Sequence, residues 1–413
     1  MKRGRPTITD VARIAGVSVG TVSNFLNGTV PVREDTGKRI ESAIRQLSYR
    51  PSMFARALPA RTAERARVTE GLPRLLVVGH ICVDYLCRVP VLPHRDDRVA
   101  ASHIEKALGG PAANLAVAAA GVGAPYALRV DLATAVGADG DSEWALSELL
   151  DRGVNTLPIR RPAKNRLPRA MVIIEANGSR TIIHETFELS EIDLTANMEV
   201  DVPQTRSCLH IEGFHYERMI PSIGRFHEAG WSVSLHTAGL PASSRNPKAF
   251  AELVSRIDLT FVNDEILREI FNIRTPLASM IEEARQILSR IRPRGDVVLT
   301  LGEFGAVVFR KSGGSQIEVP ALPVDRLDAT GAGDAFAGVF LSLWLHGAPL
   351  EDAARHAAIG ASLTTTAEGA QGHIATAAEL SDFLCSVEAK TTARTVPRTS
   401  ADRKENNRNK RRV

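Results

Sequence analysis

The chain opens on three short stretches in which apolar residues recur at helical spacing. Ile8, Val11, Ala12 and Ala15 fall on one face of a first short helix. Gly16-Val17-Ser18 breaks that pattern. Ser18 is a suitable N-cap for a second helix from Val19 to about Leu26, on which Val22 and Leu26 share a face. Ile40, Ile44 and Leu47 mark a third helix, with Lys38, Arg39 and Arg45 around it. Two short helices joined by a Gly-containing turn predict a helix-turn-helix, whose second helix fits a DNA major groove. From Pro59 to Arg67 the apolar period is lost, and a flexible, charged linker ending near Pro73 is expected.

Beyond Pro73 the apolar positions run together. Leu75-Leu76-Val77-Val78-Gly79 predicts a buried first strand. Pro111 to Leu128 carries no charge, but Asn114, Gly121, Gly123 and Pro125 make it a poor membrane span, and an Ala-rich buried helix fits better. Ala335 to Leu345 predicts another strongly apolar helix. A body of about 310 residues can bury one large α/β core. Aromatic residues make up only 5%, which suits packed βαβ layers. The run Arg403 to Arg412 is polar, basic and aperiodic, and is expected to be disordered. It reads equally as a source of non-specific phosphate contacts and as a solvated end.

Charge changes this picture by its distribution. Residues 1–67 carry 13 Lys and Arg against 5 Asp and Glu, and residues 385–413 carry 9 against 3. Within a whole-chain charge of +4, that leaves the intervening body at −10. A basic head on an acidic body suggests polyanion binding at the head, while charge alone fits a solvated surface better. Cys82, Cys87, Cys208 and Cys385 show neither a C-x-x-C pair nor zinc spacing. Reduced thiols and a cytoplasmic protein are the expectation. The basic Met1-Lys2-Arg3-Gly4-Arg5-Pro6 lacks the apolar run of a signal peptide.

Two glycine-containing loops carry candidate chemistry. Gly109-Gly110-Pro111-Ala112-Ala113-Asn114 opens the Ala-rich helix, so a ligand can approach the backbone closely, and Asn114 can both donate to and accept from a hydroxyl. Gly331-Ala332-Gly333-Asp334 precedes the helix from Ala335. Free N–H groups at a helix N-terminus, with its dipole, form an anion site. An aspartate there can accept a proton from a substrate hydroxyl while the anion site holds phosphoryl charge. No Gly-Lys-Ser/Thr follows, so this is not a Walker A loop.

The head resembles the headpiece of the lactose-repressor (LacI) family. The residues that carry the resemblance are Thr9-Asp10-Val11-Ala12, Ala15-Gly16-Val17-Ser18, Thr21-Val22-Ser23-Asn24, Leu26-Asn27-Gly28 and Tyr49-Arg50-Pro51. The resemblance implies that Val19, Gly20 and Asn24 occupy base-reading positions. It also puts Thr21 and Ser23 near phosphates, folds Ser52 to Leu58 as a hinge helix and makes Leu58 a minor-groove wedge. Two positions depart from the pattern: Gly20 has no side chain to read a base, and Arg33 stands where a Ser usually caps the third helix. A small three-helix bundle for protein contacts is the competing reading of the head.

The body resembles the ribokinase (phosphofructokinase-B, PfkB) family of carbohydrate kinases. The two loops above, extended upstream to Asp328 and Thr330, look like its two signatures. Val136 to Asp141, Asn177-Gly178-Ser179-Arg180 and Leu299 to Ala306 are further matched pieces. The resemblance implies an α/β fold, a three-layer, mostly parallel sheet with a small β lid. It makes Asp334 the catalytic base and the N–H groups of Gly331, Ala332 and Gly333 the anion hole. It gives Asp84, Gly109, Gly110 and Asn114 to the sugar hydroxyls, and Thr300, Gly302 and Gly305 to the nucleotide. Arg180 ranks lower, as a lid or structural residue. ATP and Mg2+ are the implied cofactors, with a monovalent cation as an option, and no metal ligand is assigned.

Three positions depart from that pattern. Asn263-Asp264-Glu265-Ile266 has Ile where Asn-x-x-Glu is usual, Pro93-His94-Arg95-Asp96-Asp97 replaces Pro-x-x-Gly-Glu, and His236 stands where a strand usually supplies Asp. His210, His215 and His236 read as packed or hydrogen-bonded residues near strand ends, without a zinc site. Glu143 and Trp144 read as structural.

The expected organisation is a head at 1–58, a linker at 59–73, a kinase body at 74–384 and a disordered basic tail at 385–413. The whole reads as a sugar-responsive transcription regulator, a homodimer on pseudo-palindromic operator DNA whose body transfers phosphate from ATP to a sugar hydroxyl, with no membrane partner. The alternatives are a sugar- and nucleotide-sensing repressor without turnover, and a metabolic sugar kinase with a vestigial head.

Overall fold

The structure, a computed structural model, describes residues 8–18, 21, 22, 25, 32–47, 69–137, 139–157, 166–176, 180–185, 194–196, 198–311 and 316–395. The expectations for Val19, Gly20, Ser23, Asn24, Leu58, Asn177 to Ser179 and residues 396–413 lie outside these.

In the head, α1 (Ile8–Ala15) and α2 (Glu34–Leu47) pack together with the helical residues Thr21, Val22 and Phe25. Val11, Ala12, Ala15, Val22, Ile40 and Ala43 form its buried core. Ser18 acts as the expected cap, its Oγ accepting from the Thr21 N–H at 3.0 Å. The Thr21 hydroxyl lies 2.8 Å from Ser18 Oγ, so the residue expected near phosphate is already tied to the cap. Without a Ser cap, α2 begins right after Arg33, whose carbonyl accepts from the Gly37 N–H at 2.9 Å.

The body is built from two sheets. In chain order the strands are β1 (Arg74–Val78), β2 (Cys82–Val89), β3 (His103–Gly109), β4 (Arg129–Ala133), β5 (Asn155–Thr156), β6 (Arg169–Glu175), β7 (Arg180–His184), β8 (Ser207–Glu212), β9 (Ser232–His236), β10 (Leu259–Asn263), β11 (Asp296–Thr300), β12 (Ala306–Phe309) and β13 (Gln316–Val319). The large sheet has the order β13-β12-β11-β10-β9-β8-β1-β4-β5. It is parallel from β5 to β11, and β12 and β13 add antiparallel hairpin strands. The small sheet has the order β3-β2-β6-β7.

Helices cover both faces of the large sheet, as a parallel sheet requires. One core contains Leu75, Val77, Val130, Val298 and the helices α3 (Pro111–Gly121), α9 (Ala332–Leu345) and α10 (Leu350–Thr364). The other contains Leu76, Val78, Leu209, Ile211 and residues of α5 (Tyr216–Glu228), α6 (Pro247–Val254), α7 (Asp264–Phe271) and α8 (Leu277–Ile291). The α4 helix (Gly140–Asp151) begins at Asp139, whose Oδ1 accepts from the Ser142 N–H at 3.1 Å. Trp144 of α4 lies under Lys106, whose Nζ is 4.0 Å from the ring centroid. The two cores on opposite sides of one sheet make the three-layer α/β architecture read from the sequence.

The last helix, α11 (Ala377–Thr395), runs past the boundary expected at residue 384. Residues 385–395 are thus helical rather than part of a disordered tail. Nothing between Cys385 and Thr395 breaks a helix, and Pro397 is the first residue that would. No helix among the described residues is long and apolar enough to cross a membrane.

Candidate active site

Strand order fixes where a ligand can sit. From β1 the chain moves outward through β4 to β5, then returns to the other side of β1 at β8 and continues to β13. The β1/β8 pair is therefore the topological switch point, and a crevice opens at the carboxyl ends of these strands. Gly79, His80 and the β2 residue Asp84 follow β1, and Glu212 closes β8.

Both glycine loops meet at this crevice. Gly110 caps α3 with φ +99°, and a Cβ there would fall 2.7 Å from the His80 carbonyl oxygen, so only glycine lets the loop lie against the end of β1. A Cβ on Gly109 would collide with the Asp84 carboxylate. Asp84, Gly109, Gly110 and Asn114 are thus brought together. Gly331 opens α9 with φ +75°, and a Cβ there would meet Ala370. Asp334 lies in the first turn of α9. The N–H groups of that turn have no partner within the helix.

Asn114 joins the two loops. Its Nδ2 donates to Asp334 Oδ2 at 2.9 Å, and its Oδ1 accepts from Gln371 Nε2 at 2.9 Å. Gln371 also donates to the Leu108 carbonyl at 3.1 Å, which fixes which way the Asn114 amide faces.

The surroundings tune the carboxyls. Asp334 is half-buried by its own exposure, yet protein crowds it on all sides, and this loss of water pushes its pKa up to about 7. The Asn114 hydrogen bond opposes the rise, the Glu212 charge adds to it, and His80 opposes it. Asp84 is raised as well, chiefly by burial and against the 3.1 Å bond from Cys82 Sγ. His236 is buried and held down to about 4 by desolvation, so it is a neutral imidazole. A Cβ on Gly333 would lie 3.7 Å from His236 Nε2, which places this ring beside the glycine loop.

Other expected residues occupy separate places. Thr300 ends β11, and Gly302 and Gly305 follow in a tight turn in which the Leu301 N–H donates to the Gly305 carbonyl at 2.8 Å. Gly302 has φ +56° and open space around it, whereas Gly305 packs against the Val319–Ala321 backbone. In α7, Asn263 Oδ1 caps the Ile266 N–H at 2.8 Å, Asp264 lies 3.7 Å from Arg268, and Glu265 is exposed. Asp96, standing where the pattern has Gly, adopts φ +66°, a left-handed backbone that a short polar side chain tolerates. His210 lies inside β8 rather than at its end, with Nδ1 2.9 Å from Ser234 Oγ.

Sequence reasoning missed or ranked low several residues. Arg180, on β7, reaches from the small sheet to Asp328 Oδ1 at 2.5 Å and to the Thr330 hydroxyl. Asp328 also accepts from the Thr330 and Gly369 N–H groups at 2.7 and 2.9 Å. The lid is thereby latched to the loop that carries Asp334. Arg88 of β2 pairs with Glu368 in the same way. Glu212, 2% exposed, pairs with the His80 side chain and accepts from its N–H at 2.7 Å. The available signal was a carboxylate ending the apolar run Cys208 to Glu212.

A crowded carboxyl at a glycine-rich helix start, in the switch-point crevice of a doubly covered parallel sheet beside a small sheet, defines a ribokinase-like fold. The model of the pfkB family of carbohydrate kinases matches residues 72–377, and the chain belongs to that family. The model of the lacI family of bacterial regulatory proteins matches residues 7–52. A cytidine kinase of Thermococcus kodakarensis is 30% identical over 290 residues, covering 68% of this chain and 92% of the relative. An HTH-type transcriptional repressor PurR of Actinobacillus pleuropneumoniae is 52% identical over 58 residues, 14% of this chain and 17% of the relative. Among solved structures, an Arabidopsis thaliana ribokinase complexed with ribose and ATP superposes with a TM-score of 0.60 at 23% identity, covering 76% of this chain and 99% of that one.

Proposed function

We propose that this chain is a sugar-responsive DNA-binding regulator whose body transfers a phosphoryl group from ATP to a hydroxyl of a sugar or ribosyl compound. Asp334 carries the reading: a crowded carboxyl raised to about 7, oriented by Asn114, in the first turn of a glycine-capped helix. A base with that pKa is poised near neutral pH.

ATP, when bound, supplies the phosphoryl group, and the glycine-lined elements fit it: Gly302 has open space beside its backbone, and Gly331 to Gly333 present N–H groups. Asp84 and Asn114 hold the acceptor hydroxyls. Asp334 takes the proton from the attacking hydroxyl, and the α9 N-terminus faces the charge that develops on the transferred group. Arg180 and Arg88 hold the small sheet down and exclude water. The α7 residues fit magnesium poorly, since Asn263 is spent on a cap and Asp264 faces Arg268, so no step is assigned to the ion.

Turnover by the purified chain with ATP, magnesium and a panel of pentoses, hexoses and ribonucleosides tests the reading. Product formation that Asp334→Asn abolishes supports it. Ile266 and His236 favour a second reading, a sensor that binds without turnover. That reading predicts ligand-dependent thermal stabilisation with no product from any acceptor.

A further inference from the structure

Outside the proposed phosphoryl-transfer residues, a second chemical cluster sits at the switch point. His80 follows β1, Glu212 ends β8, and His215 lies one turn further on, in the 3-10 turn Gly213–His215. Their donor atoms all lie within 4.8 Å of one another. The three are 6%, 2% and 2% exposed. We propose that His80, Glu212 and His215 form a binding site for Zn2+.

Three observations carry this. First, the donor set is two imidazoles and one carboxylate, which suits Zn2+ and not Mg2+ or Ca2+, ions that take oxygen ligands. Second, His215 Nδ1 is buried and makes no hydrogen bond among the described residues. A buried polar atom without a partner is costly, and an ion satisfies it. Third, the ligands are held in advance. Glu212 Oε2 accepts from the His80 N–H at 2.7 Å, and Gly79 leaves no space between itself and the Glu212 carboxylate, since a Cβ there would collide with Oε2. The His80 ring is further set by an edge contact with Phe214, 5.1 Å between centroids.

Geometry limits what must move. Tetrahedral zinc with bonds near 2.1 Å holds its ligand atoms about 3.4 Å apart. The widest separation here must therefore close by at most about 1.4 Å, while the His80–Glu212 contact opens to admit the ion. The ion would sit between His80 Nδ1 and Glu212 Oε1, a pair already in contact. Three protein ligands leave a fourth position for water or a ligand hydroxyl. Glu212 and His80 also act on the Asp334 carboxyl through their charge, but zinc uptake is read without turnover, so failure of one reading is distinguishable from failure of the other.

The test uses the full chain, stripped with EDTA, desalted and titrated with Zn2+ against a chromophoric chelator. The expected result is one zinc per chain with submicromolar affinity, undiminished by excess Mg2+, and a tetrahedral visible spectrum with Co2+. His215→Ala and Glu212→Gln should each weaken zinc by more than the roughly 10–100-fold that outer-shell changes cost. His103→Ala, on exposed β3, should leave it unchanged. Failure of the wild-type chain to take up stoichiometric zinc overturns the site without recourse to any variant. Uptake that persists in both ligand variants overturns it equally, because the metal then sits elsewhere.

Discussion

The Asn114 amide donates to Oδ2 of Asp334 at 2.9 Å, joining residues 220 positions apart. It orients the carboxyl and also favours its charged form. The bond therefore lowers the pH at which Asp334 can accept a proton, against the larger effect of burial. Below about 7 the carboxyl is protonated. The rate kcat/KM should fall by about tenfold per pH unit below that point and level off above it. Asn114→Ala removes the opposing bond, so the inflection should move to higher pH. A pH–rate profile of both proteins measures this.

The same group sets a stability slope. An unfolded aspartate ionises near 3.9, taken as roughly the standard value. Between there and about 7 the native state holds the extra proton, so stability falls as pH rises through this window. Asp334→Asn carries no charge and should lose that slope. Its Tm should exceed that of wild type at pH 8 more than at pH 5, while turnover drops by about 10²–10⁴-fold.

Arg180 latches the lid to the Asp328 loop through a carboxylate that is only 4% exposed. Arg180→Ala should cost about 1.5–3 kcal/mol, the range for a hydrogen bond to a charged group. Arg180→Lys should recover little of it, because an ammonium cannot span Asp328 and Thr330 as the guanidinium fork does. Urea unfolding and limited proteolysis of the β6–β7 region report both.

Two glycines separate packing from ligand access. Gly110→Ala places a Cβ 2.7 Å from the His80 carbonyl and Ile81 Cα, and should unfold the loop between β3 and α3. Gly302→Ala meets nothing within 4 Å and carries only the left-handed strain of about 1–2 kcal/mol. It should fold and raise KM for ATP with little change in KM for the acceptor. Thermal melts and steady-state kinetics distinguish the two.

In the head, Ser18→Ala removes the cap on the Thr21 N–H and should cost about 1 kcal/mol. DNA affinity, read by anisotropy at fixed salt, should weaken by roughly fivefold.

The sequence made legible what is local. Gly109 to Asn114 and Asp328 to Asp334 are contiguous, and their glycines mark backbone that must lie close to something, so both loops could be placed before their meeting point was known. The pairing of β1 with β8 was not legible, because it joins segments about 130 residues apart and leaves no local period. Glu212, His80 and His215 become one cluster only through that pairing. Arg180 was undervalued for the same reason, since its partner Asp328 lies on another sheet's loop. Neither Asp264 nor Glu265 stands in for a Glu at Ile266, because helix geometry turns one to Arg268 and the other to solvent. The helix to Thr395 was hidden because an aperiodic polar segment with no breaker carries no distinctive pattern.

The measurement that bears most directly on the account is the affinity of the full chain for duplex DNA from upstream of its own gene, with and without ATP and the acceptor that stabilises the body most. Coupling between sites changes affinity by about 5–150-fold, and a shift in that range on adding ligand is the predicted result. Equal DNA affinity with the body empty and saturated would contradict it.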